Sequence, residues 1–309
     1  MTESTYKAVV VNRFGGPEVL ELAELPDRPL APGEVRVAVK AAGIQPVDAS
    51  IRAGLMPATI APPPFPITPG NELAGVVVES ASDDWAPGDA VLGFQPLVAY
   101  AERAVLPGAH LVAKPEAMPW EIAGSLSASG QTAHIALEAL GVKDGDVLLV
   151  HGAAGGVGTV AVQLARHRGA TVIGTASEGN HAYLRELGAI PVAYGPGLPE
   201  RVRAVAPGPV TVAFDAAVGE GHIADSLELT GQDASRVGTI VAYEEAEAGR
   251  AVAIRGPRTA ARLNELAHLW SDGVLRLTVS RTYRLSEAAE AHRAIETGRA
   301  RGKSVFVTG

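Results

Sequence analysis

The chain has 309 residues, of which 47% are hydrophobic and 19% charged, so it can bury extensive cores and its length fits two domains. Its formal net charge of −8 argues against binding to nucleic acid or anionic membranes, and the absence of cysteine excludes disulfides, iron–sulfur clusters and thiolate zinc sites. The sequence contains neither an apolar run of about 18 residues nor a basic, leader-like N-terminus, so we expect a cytoplasmic protein. The histidines lack paired metal-binding spacing, so we expect no metal.

Residues 1 to about 120 contain short valine-rich segments that are separated by glycine and proline turns. Short strands at this spacing are typical of an antiparallel, β-rich domain. The predicted strands are Tyr6–Val11, Glu34–Val39, Gly75–Glu79, Ala90–Leu92 and Glu102–Val105.

From Trp120 onward the pattern changes to helices that alternate with strands. The predicted helices cover residues 120–140, 157–168, 180–187 and 198–206, and the predicted strands cover residues 147–150, 171–175, 191–194, 210–214 and 237–242. This alternation predicts an α/β fold with a doubly wound parallel sheet, a Rossmann domain over residues 121–271.

The C-terminal residues return to a different pattern. They predict a strand Leu275–Tyr283, a helix Ser286–Thr297 that begins with a serine cap, and a last strand Ser304–Thr308. We expect residues 272–309 to complete the domain formed by residues 1–120, with a cleft between the two domains into which a nicotinamide would project.

The segment Val147–Ala165 joins an apolar strand, a glycine-dense turn and an amphipathic helix. The turn Ala153–Gly158 is an AxGxxG variant of the GxGxxG pattern of dinucleotide-binding units. Gly155 would let a pyrophosphate approach the backbone, and Gly158 would let the helix pack closely against the strand. The helix N-terminus offers N–H groups and a partial positive charge to phosphates. We therefore predict a dinucleotide site on Gly155–Gly158.

The end of the next predicted strand bears on the choice between NADP(H) and NAD(H). This strand ends at Thr175, about 20 residues past the glycine turn, where NAD-specific folds place Asp or Glu. No carboxylate occurs here before Glu178, whereas Ser177, His181 and Tyr194 can donate to a 2′-phosphate. We therefore prefer NADP(H). The alternative is that Ser177 caps a helix and Glu178 binds the ribose diol, which would favour NAD(H).

Several further segments occur in an order that is found in one known family. They are Ala42–Asp48 with Ile51–Gly54 (AGxNPxD and IRxG), Pro69–Gly75 (PGxExAG), Gly88–Val91, Thr132–Ala133, His151–Gly158, Leu187–Ala189 and Arg301–Lys303. With these segments the chain resembles, over nearly its whole length, the zinc-free quinone oxidoreductase branch of the medium-chain dehydrogenase/reductase superfamily.

The resemblance implies a GroES-like catalytic domain together with the Rossmann domain, a homodimer, and NADPH-dependent, zinc-independent reduction of quinones or α,β-unsaturated carbonyls. The alternatives are a ketone or aldehyde reductase with the same coenzyme site, and a non-redox cyclase or nucleotide-binding protein that keeps the fold. The residues expected to contact the coenzyme are Gln45, Pro46, Thr132, Gly155, Gly156, Val157, Gly158, Thr175, Ser177, His181, Tyr194, Ala217, Val241 and Lys303.

Zinc-using relatives carry cysteine where Gln45 stands and histidine where Asn71 stands, so the resemblance implies that both zinc ligands are absent. We expect the two side-chain amides to line the cleft, where they would bind the nicotinamide carboxamide or donate to a substrate carbonyl. The alternative is that both amides only join neighbouring loops.

Many quinone reductases of this type have a tyrosine just after the IRxG segment as a proposed proton donor, but Met56 stands there and cannot supply a proton. Either solvent or Tyr243, which follows a predicted strand, would then complete the reaction; alternatively, Tyr243 is a packing aromatic. The proline-dense loop Met56–Pro69, with Phe65 and Phe94, would wall an apolar substrate pocket or would serve only as a rigid connector.

Overall fold

The computed structural model describes residues 4–55, 64–298 and 300–308, which form two compact units. The first unit contains the chain up to Ala128, the segment Arg258–Ser271 and the chain from Thr278 onward. The second unit contains Ser129–Pro257 and Asp272–Leu277.

The helices and strands are numbered along the chain. The strands are β1 (Thr5–Val11), β2 (Leu20–Pro26), β3 (Glu34–Ile44), β4 (Glu72–Ser80), β5 (Ala90–Phe94), β6 (Arg103–Pro107), β7 (Leu111–Ala113), β8 (Val147–His151), β9 (Thr171–Ala176), β10 (Ile190–Ala193), β11 (Val212–Asp215), β12 (Val237–Thr239), β13 (Val252–Ala253), β14 (Val279–Tyr283) and β15 (Lys303–Val307). The helices are α1 (Pro46–Arg52), α2 (Trp120–Ala139), α3 (Gly156–His167), α4 (His181–Glu186), α5 (Leu198–Val205), α6 (His222–Leu229), α7 (Tyr243–Glu247), α8 (Ala260–Ser271) and α9 (Ala288–Glu296).

The first unit contains a largely antiparallel sheet with the strand order β14-β15-β3-β4-β5-β7, in which β6 also pairs with β3. Strands β1 and β2 form a separate antiparallel pair. Val37, Leu73, Leu106 and Phe306, from four strands of the larger sheet, are fully buried in one core. This is the antiparallel, β-rich domain that the valine-rich segments predict.

The second unit contains a parallel sheet with the strand order β10-β9-β8-β11-β12-β13. Its core includes Leu149, Ile173, Ala213 and Val237, each at 0% exposure. The chain moves outward from β8 in one direction through β9 and β10 and in the other through β11 to β13. A doubly wound sheet of this kind opens a crevice at the carboxyl ends of its strands where the strand order reverses, here between β8 and β11.

The predicted strand 237–242 is shorter in the structure, because β12 ends at Thr239. The Thr239 hydroxyl accepts hydrogen bonds from the backbone N–H groups of Val241 at 3.1 Å and Ala242 at 2.9 Å. These bonds divert both groups from sheet pairing. Tyr243 therefore opens helix α7 and does not directly follow a strand.

The start of the last helix also differs from the prediction. Ser286 lies inside a short 3-10 turn, Leu285–Glu287, that precedes α9, and the side chain of Glu287 accepts the N–H of Arg284 at 2.6 Å. The predicted serine cap is therefore wrong, because the Glu287 carboxylate, and not the Ser286 hydroxyl, accepts the backbone N–H group of Arg284 at this helix start. The preceding strand begins at Val279, four residues later than Leu275.

Residues 258–271, which the sequence pattern assigns to the Rossmann domain, are grouped with the first unit in the structure. Helix α8 packs against β7, and its side chains Leu263, Leu266 and Ala267 are buried. The apolar face of this helix therefore belongs to the β-rich unit. In residues 4–55, 64–298 and 300–308, none of the helices combines the length and apolar character needed to cross a bilayer.

Candidate active site

The glycine turn lies between the end of β8 at His151 and the start of α3 at Gly156. Among the described residues, the carbonyl oxygen of Gly152, at 3.3 Å, is the only heavy atom within 4 Å that a Cβ added to Gly155 would meet outside its own chain neighbours. A Cβ added to Gly158 would lie 2.7 Å from the Cα of Ala153. Gly158 thus allows the helix to approach the turn, whereas Gly155 leaves free space beside the backbone. A diphosphate fits such space at a helix N-terminus.

Thr175 holds the turn from the neighbouring strand β9. Its hydroxyl accepts the N–H of Gly152 at 3.2 Å, and its carbonyl accepts the N–H of Ala153 at 3.1 Å. Gly152 has a φ of +69°, which a residue with a side chain rarely adopts. Thr175 is 2% exposed. The buried Thr175 hydroxyl therefore stabilises the backbone conformation of the glycine turn.

Most of the predicted coenzyme residues of the second unit lie along one edge of its sheet. In the parallel register, Ala193 of β10 aligns with Ala176 of β9, His151 of β8 with Asp215 of β11, and Asp215 with Thr239 of β12. The chain segments that leave these strands emerge at the same carboxyl edge. They carry the predicted contacts Tyr194, Ser177, Gly155, Gly156, Val157, Gly158, Ala217 and Val241.

Ser177 and Tyr194 follow the paired strand ends of β9 and β10. Both residues are exposed, Tyr194 to 61%, and the Ser177 hydroxyl accepts Nδ2 of Asn180 at 3.2 Å. Glu178 is also exposed and opens the 3-10 turn before α4. Nε2 of His181 is buried and has no hydrogen-bond partner among the described residues, so a phosphate would have to approach the other ring nitrogen.

Arg201 on α5 shapes the loop that carries Tyr194, and sequence reasoning missed it. Its guanidinium donates to the carbonyls of Ala193 at 3.0 Å, Gly195 at 2.9 Å and Pro196 at 2.6 Å. Five N–H donors in a fixed plane suit several carbonyls of one loop. The signal in the sequence was the spacing, because Arg201 lies one helical turn after the Gly195-Pro196-Gly197 loop.

In the first unit, three donors converge on the buried carboxyl of Asp48. The Tyr100 hydroxyl donates at 2.7 Å, Nδ2 of Asn71 at 2.9 Å and the backbone N–H of Gln45 at 2.9 Å. Burial raises the pKa of Asp48 to about 6, although these three hydrogen bonds oppose the shift. Burial, with the neighbouring Asp48 charge, also raises the pKa of Tyr100 well above its usual value.

A second buried carboxylate, Glu72, lies beside this group. It accepts hydrogen bonds from Nε2 of Gln45, from Nζ of Lys303 at 3.0 Å and from the backbone N–H of Ala128 at 2.5 Å. A Cβ at Gly43 would overlap the Glu72 carboxyl group, so this position needs glycine. Gln45, Asn71 and Lys303 are thus brought together around two carboxylates.

Arg258 completes this network and was not predicted from the sequence. Its guanidinium donates to Oδ1 of Asn71 at 2.5 Å and to the Asn71 carbonyl at 3.2 Å. Burial lowers the pKa of Arg258, while the charges of Glu72 and Asp48 oppose that shift. Two carboxylates therefore face one arginine and one lysine. The Pro69–Gly75 segment indicated Asn71 and Glu72, but no local pattern connects them to Arg258 or Lys303.

The other candidate residues lie at these positions. Pro46 is exposed at the start of α1, and Thr132 is half-buried on α2. Tyr243 is 37% exposed, and the guanidinium of Arg255 lies 4.9 Å from its ring centroid. Met56 lies outside the described residues.

The proposed apolar wall is described only in part, because residues 56–63 of the proline-dense loop also lie outside the described residues. Phe65 is 43% exposed and packs edge-on against Phe14, with ring centroids 4.9 Å apart. Phe94 is 5% exposed and stacks on His110 at 4.7 Å. Phe94 therefore has little surface left for a ligand.

Two family models match the chain: the alcohol dehydrogenase GroES-like domain over residues 31–116, and the zinc-binding dehydrogenase over residues 187–306. A solved structure, the quinone oxidoreductase from Coxiella burnetii, is 32% identical, with a TM-score of 0.86 and a match that covers 99% of this chain and 100% of that one. The chain belongs to the quinone oxidoreductase-like branch of the medium-chain dehydrogenase/reductase superfamily.

Two further proteins resemble this quinone oxidoreductase-like chain. A mycobacterial protein solved in complex with NADPH is 27% identical, with a TM-score of 0.83 and coverage of 98% of this chain and 100% of that one. The synaptic vesicle membrane protein VAT-1 homolog of Rattus norvegicus is 34% identical over 85% of this chain. The match spans 64% of that relative's length, so the chain covers less than two thirds of it.

The zinc that one matching family description names does not fit the residues of this quinone oxidoreductase-like chain. The sequence contains no cysteine, and the described residues contain no group of three or more His, Asp or Glu side chains that could hold a metal. Asp48 and Glu72 instead accept hydrogen bonds from Gln45, Asn71 and Lys303. Their oxygens are committed to internal donors, which compete with a metal.

Proposed function

We propose that the protein is an NADPH-dependent reductase of quinones or α,β-unsaturated carbonyls that works without zinc. The observation that carries this proposal is the free space beside Gly155 at the N-terminus of α3, because this is the space that a diphosphate would occupy. Its location at the carboxyl edge where the strand order reverses supports the same conclusion. The full-length match to a quinone oxidoreductase supports the reaction class.

The second unit would bind the coenzyme mainly through its backbone. Gly155, Gly156, Val157 and Gly158 form the start of α3, where N–H groups have no partner within the helix and where the helix dipole is positive. Thr175 would act indirectly, by fixing the turn. When bound, a reduced nicotinamide supplies a hydride.

Two observations favour NADPH over NADH. Ser177 and Tyr194 emerge next to each other from the in-register strand ends of β9 and β10, and both present hydroxyl donors at an exposed position. The loop of Tyr194 is held by the Arg201 guanidinium, which adds a positive charge near that position. A 2′-phosphate benefits from both. An NAD(H) site would instead use the exposed carboxylate of Glu178.

Gln45 and Asn71 would orient the substrate. Each carboxamide nitrogen carries two N–H groups, and in the described residues one from each is bonded to a buried carboxylate, Glu72 or Asp48. The remaining N–H can donate to a substrate oxygen on which negative charge develops, and donors that are already fixed need little reorganisation. The proton that completes the reduction would come from solvent or from the hydroxyl of Tyr243, a residue that is 37% exposed.

We propose that the protein is a homodimer. Among the described residues, β13 pairs within its sheet only with β12, so its other edge presents backbone N–H and carbonyl groups. A second copy of the same edge satisfies these groups in a two-fold arrangement. Light scattering would then give twice the monomer mass.

The reaction is tested by following NADPH absorbance with a panel of quinones, enones, ketones and aldehydes. We expect turnover of quinones or enones, with the saturated carbonyl as the product of an enone. Alcohol formation from ketones would instead favour the carbonyl reductase alternative. Tight NADPH binding without turnover of any panel member would contradict a reductase and favour a non-redox protein.

A further inference from the structure

Two histidine rings stack at the carboxyl edge of the second unit's sheet. His151 is the last residue of β8 and His222 the first of α6, and their ring centroids lie 4.8 Å apart with planes inclined by 19°. His151 is fully buried, and its Nε2 lies 2.9 Å from the Ser226 hydroxyl. Neither histidine takes part in the hydrogen bonds around Asp48 and Glu72 or in those that Thr175 makes to the glycine turn.

His222 is bound to a carboxylate that organises two loops. Nδ1 of His222 lies 3.1 Å from Oδ1 of Asp215, at the end of β11. The other Asp215 oxygen accepts the Thr239 hydroxyl at 2.9 Å, and Thr239 in turn accepts the N–H groups of Val241 and Ala242. Asp215 therefore fixes the chain after β12 as well as its own loop.

The loop after β11 touches the glycine turn. A Cβ at Gly152 would lie 3.0 Å from the Cβ of Ala217, and the Ala217 N–H points to Oδ1 of Asp215 at 3.3 Å. The stacked histidines connect the same two segments, because His151 directly precedes Gly152 and His222 follows the loop. The conformation of the glycine turn therefore depends on the loop after β11 and on the hydrogen bonds of Asp215.

The surroundings of the two rings shift their pKa values in opposite directions. The hydrogen bond to Asp215 raises the pKa of His222, while burial, followed by the charge of His222, lowers the pKa of His151 to about 4. The charged or titratable groups that face His222 are Asp215 from β11, His151 from β8 and Asp225 from its own helix. A proton taken up by the pair is therefore held by His222 rather than by His151.

We propose that His222 is a positioning residue of the coenzyme site, which holds the loop around Ala217 through Asp215 and offsets the negative charge of that carboxylate close to the bound diphosphate. This inference rests on the proposed coenzyme site. A neutral His222 would leave the Asp215 charge uncompensated at an edge that receives a polyanion. Coenzyme affinity should therefore fall as pH rises through the titration of His222.

The test is the NADPH dissociation constant of the wild-type chain and of His222→Asn between about pH 6 and about pH 9. Asparagine keeps a donor for Asp215 but cannot carry a proton charge. The variant should bind NADPH about fivefold or more weakly than wild type at the acid end, and the ratio should approach one at the alkaline end. The ratio cancels the titration of the coenzyme's own phosphate. A ratio that stays constant with pH would overturn the inference.

Two further measurements separate this role from a merely structural one. The ring-proton resonance of His222, assigned by its absence in His222→Asn, should titrate at higher pH when NADPH is bound, because binding and protonation are linked. An unchanged titration would count against the proposal. The matched control His268→Asn, on the exposed face of α8, should follow the wild-type profile. If wild type binds no NADPH, the proposed function itself fails; if it binds normally with a constant ratio, only the role of His222 fails.

Discussion

Nζ of Lys303 lies 3.0 Å from Oε1 of Glu72, and the two side chains are 3% and 0% exposed. The pair joins β15 to β4 across 231 positions of sequence. Because removal of one partner leaves a buried charge without compensation, Lys303→Met should lower the free energy of unfolding by about 3–5 kcal/mol, measured in urea. Lys143→Met, at an exposed loop position, is the matched control and should change stability by less than about 0.5 kcal/mol.

A double-mutant cycle isolates the pair. Lys303→Met combined with Glu72→Gln should lose less stability than the two single changes added together, because the second change removes the charge that the first left unpaired. Strict additivity would show that the two groups do not interact.

Filling the free space beside Gly155 should weaken coenzyme binding while it leaves the fold largely intact. Gly155→Val should raise the dissociation constant for NADPH at least about tenfold, because its side chain occupies the space beside the backbone. The melting temperature should fall by only a few degrees, since within the described part of the chain a Cβ there meets one backbone oxygen, at 3.3 Å. Gly208→Val, where no heavy atom of the described residues lies within 4 Å of an added Cβ, is the control. Unaltered affinity in Gly155→Val would refute the placement.

We expect Ser177 to contribute to the preference for NADPH over NADH. Ser177→Asp places a carboxylate at the strand end where a 2′-phosphate would lie, so it should weaken NADPH binding about tenfold through like-charge repulsion and change NADH binding by less than about twofold. Ala204→Asp adds the same charge at an exposed position of α5 and should alter neither. Equal losses for the two coenzymes in Ser177→Asp would show that the residue does not face the 2′ position.

Tyr243, which is 37% exposed, is the candidate proton donor from the protein. If its hydroxyl supplies the proton, Tyr243→Phe should lower kcat with an enone about a hundredfold while the KM for NADPH stays within about twofold. An unchanged kcat would assign proton delivery to solvent.

We expect His292 to make the folded protein less stable at acid pH. Its side chain is fully buried, and burial together with the Arg52 guanidinium lowers its pKa to about 4. In the unfolded chain the pKa is about 6.5, so between these values the unfolded state binds a proton that the folded state excludes. The free energy of unfolding is therefore unaffected by His292 above about pH 6.5, and it falls by up to about 3 kcal/mol as the pH is lowered toward about 4.

His292→Phe should flatten this part of the stability curve, measured by urea unfolding at successive pH values. His268→Phe, on the surface, should leave the slope as it is in wild type. A slope in His292→Phe that equals the wild-type slope would mean that another group controls acid unfolding.

The sequence predicts the parallel sheet well because its central strands are short, mostly apolar and almost wholly buried segments between helices. Val147–His151 is buried at every position, and its neighbours β9 and β11 have the same character. Elements with less internal pattern were missed: β13 has two residues, and α8 has an apolar face that could have covered either unit. Only the packing of α8 against β7 decides its place.

The glycine turn was predictable because its requirements are local. Gly155 and Gly158 act through the backbone within one βα unit. The network around Asp48 and Glu72 was not predictable, because Tyr100, Arg258 and Lys303 reach it from distant parts of the chain. The same holds for His151 and His222, which meet only because β8 and β11 are adjacent.

Calorimetric titration of the purified chain with NADPH is the decisive measurement for the dinucleotide site on Gly155–Gly158. The glycine turn predicts one site per chain with a dissociation constant in the roughly micromolar range, and weaker binding of NADH. Absence of binding by both coenzymes would show that the glycine turn is not a dinucleotide site.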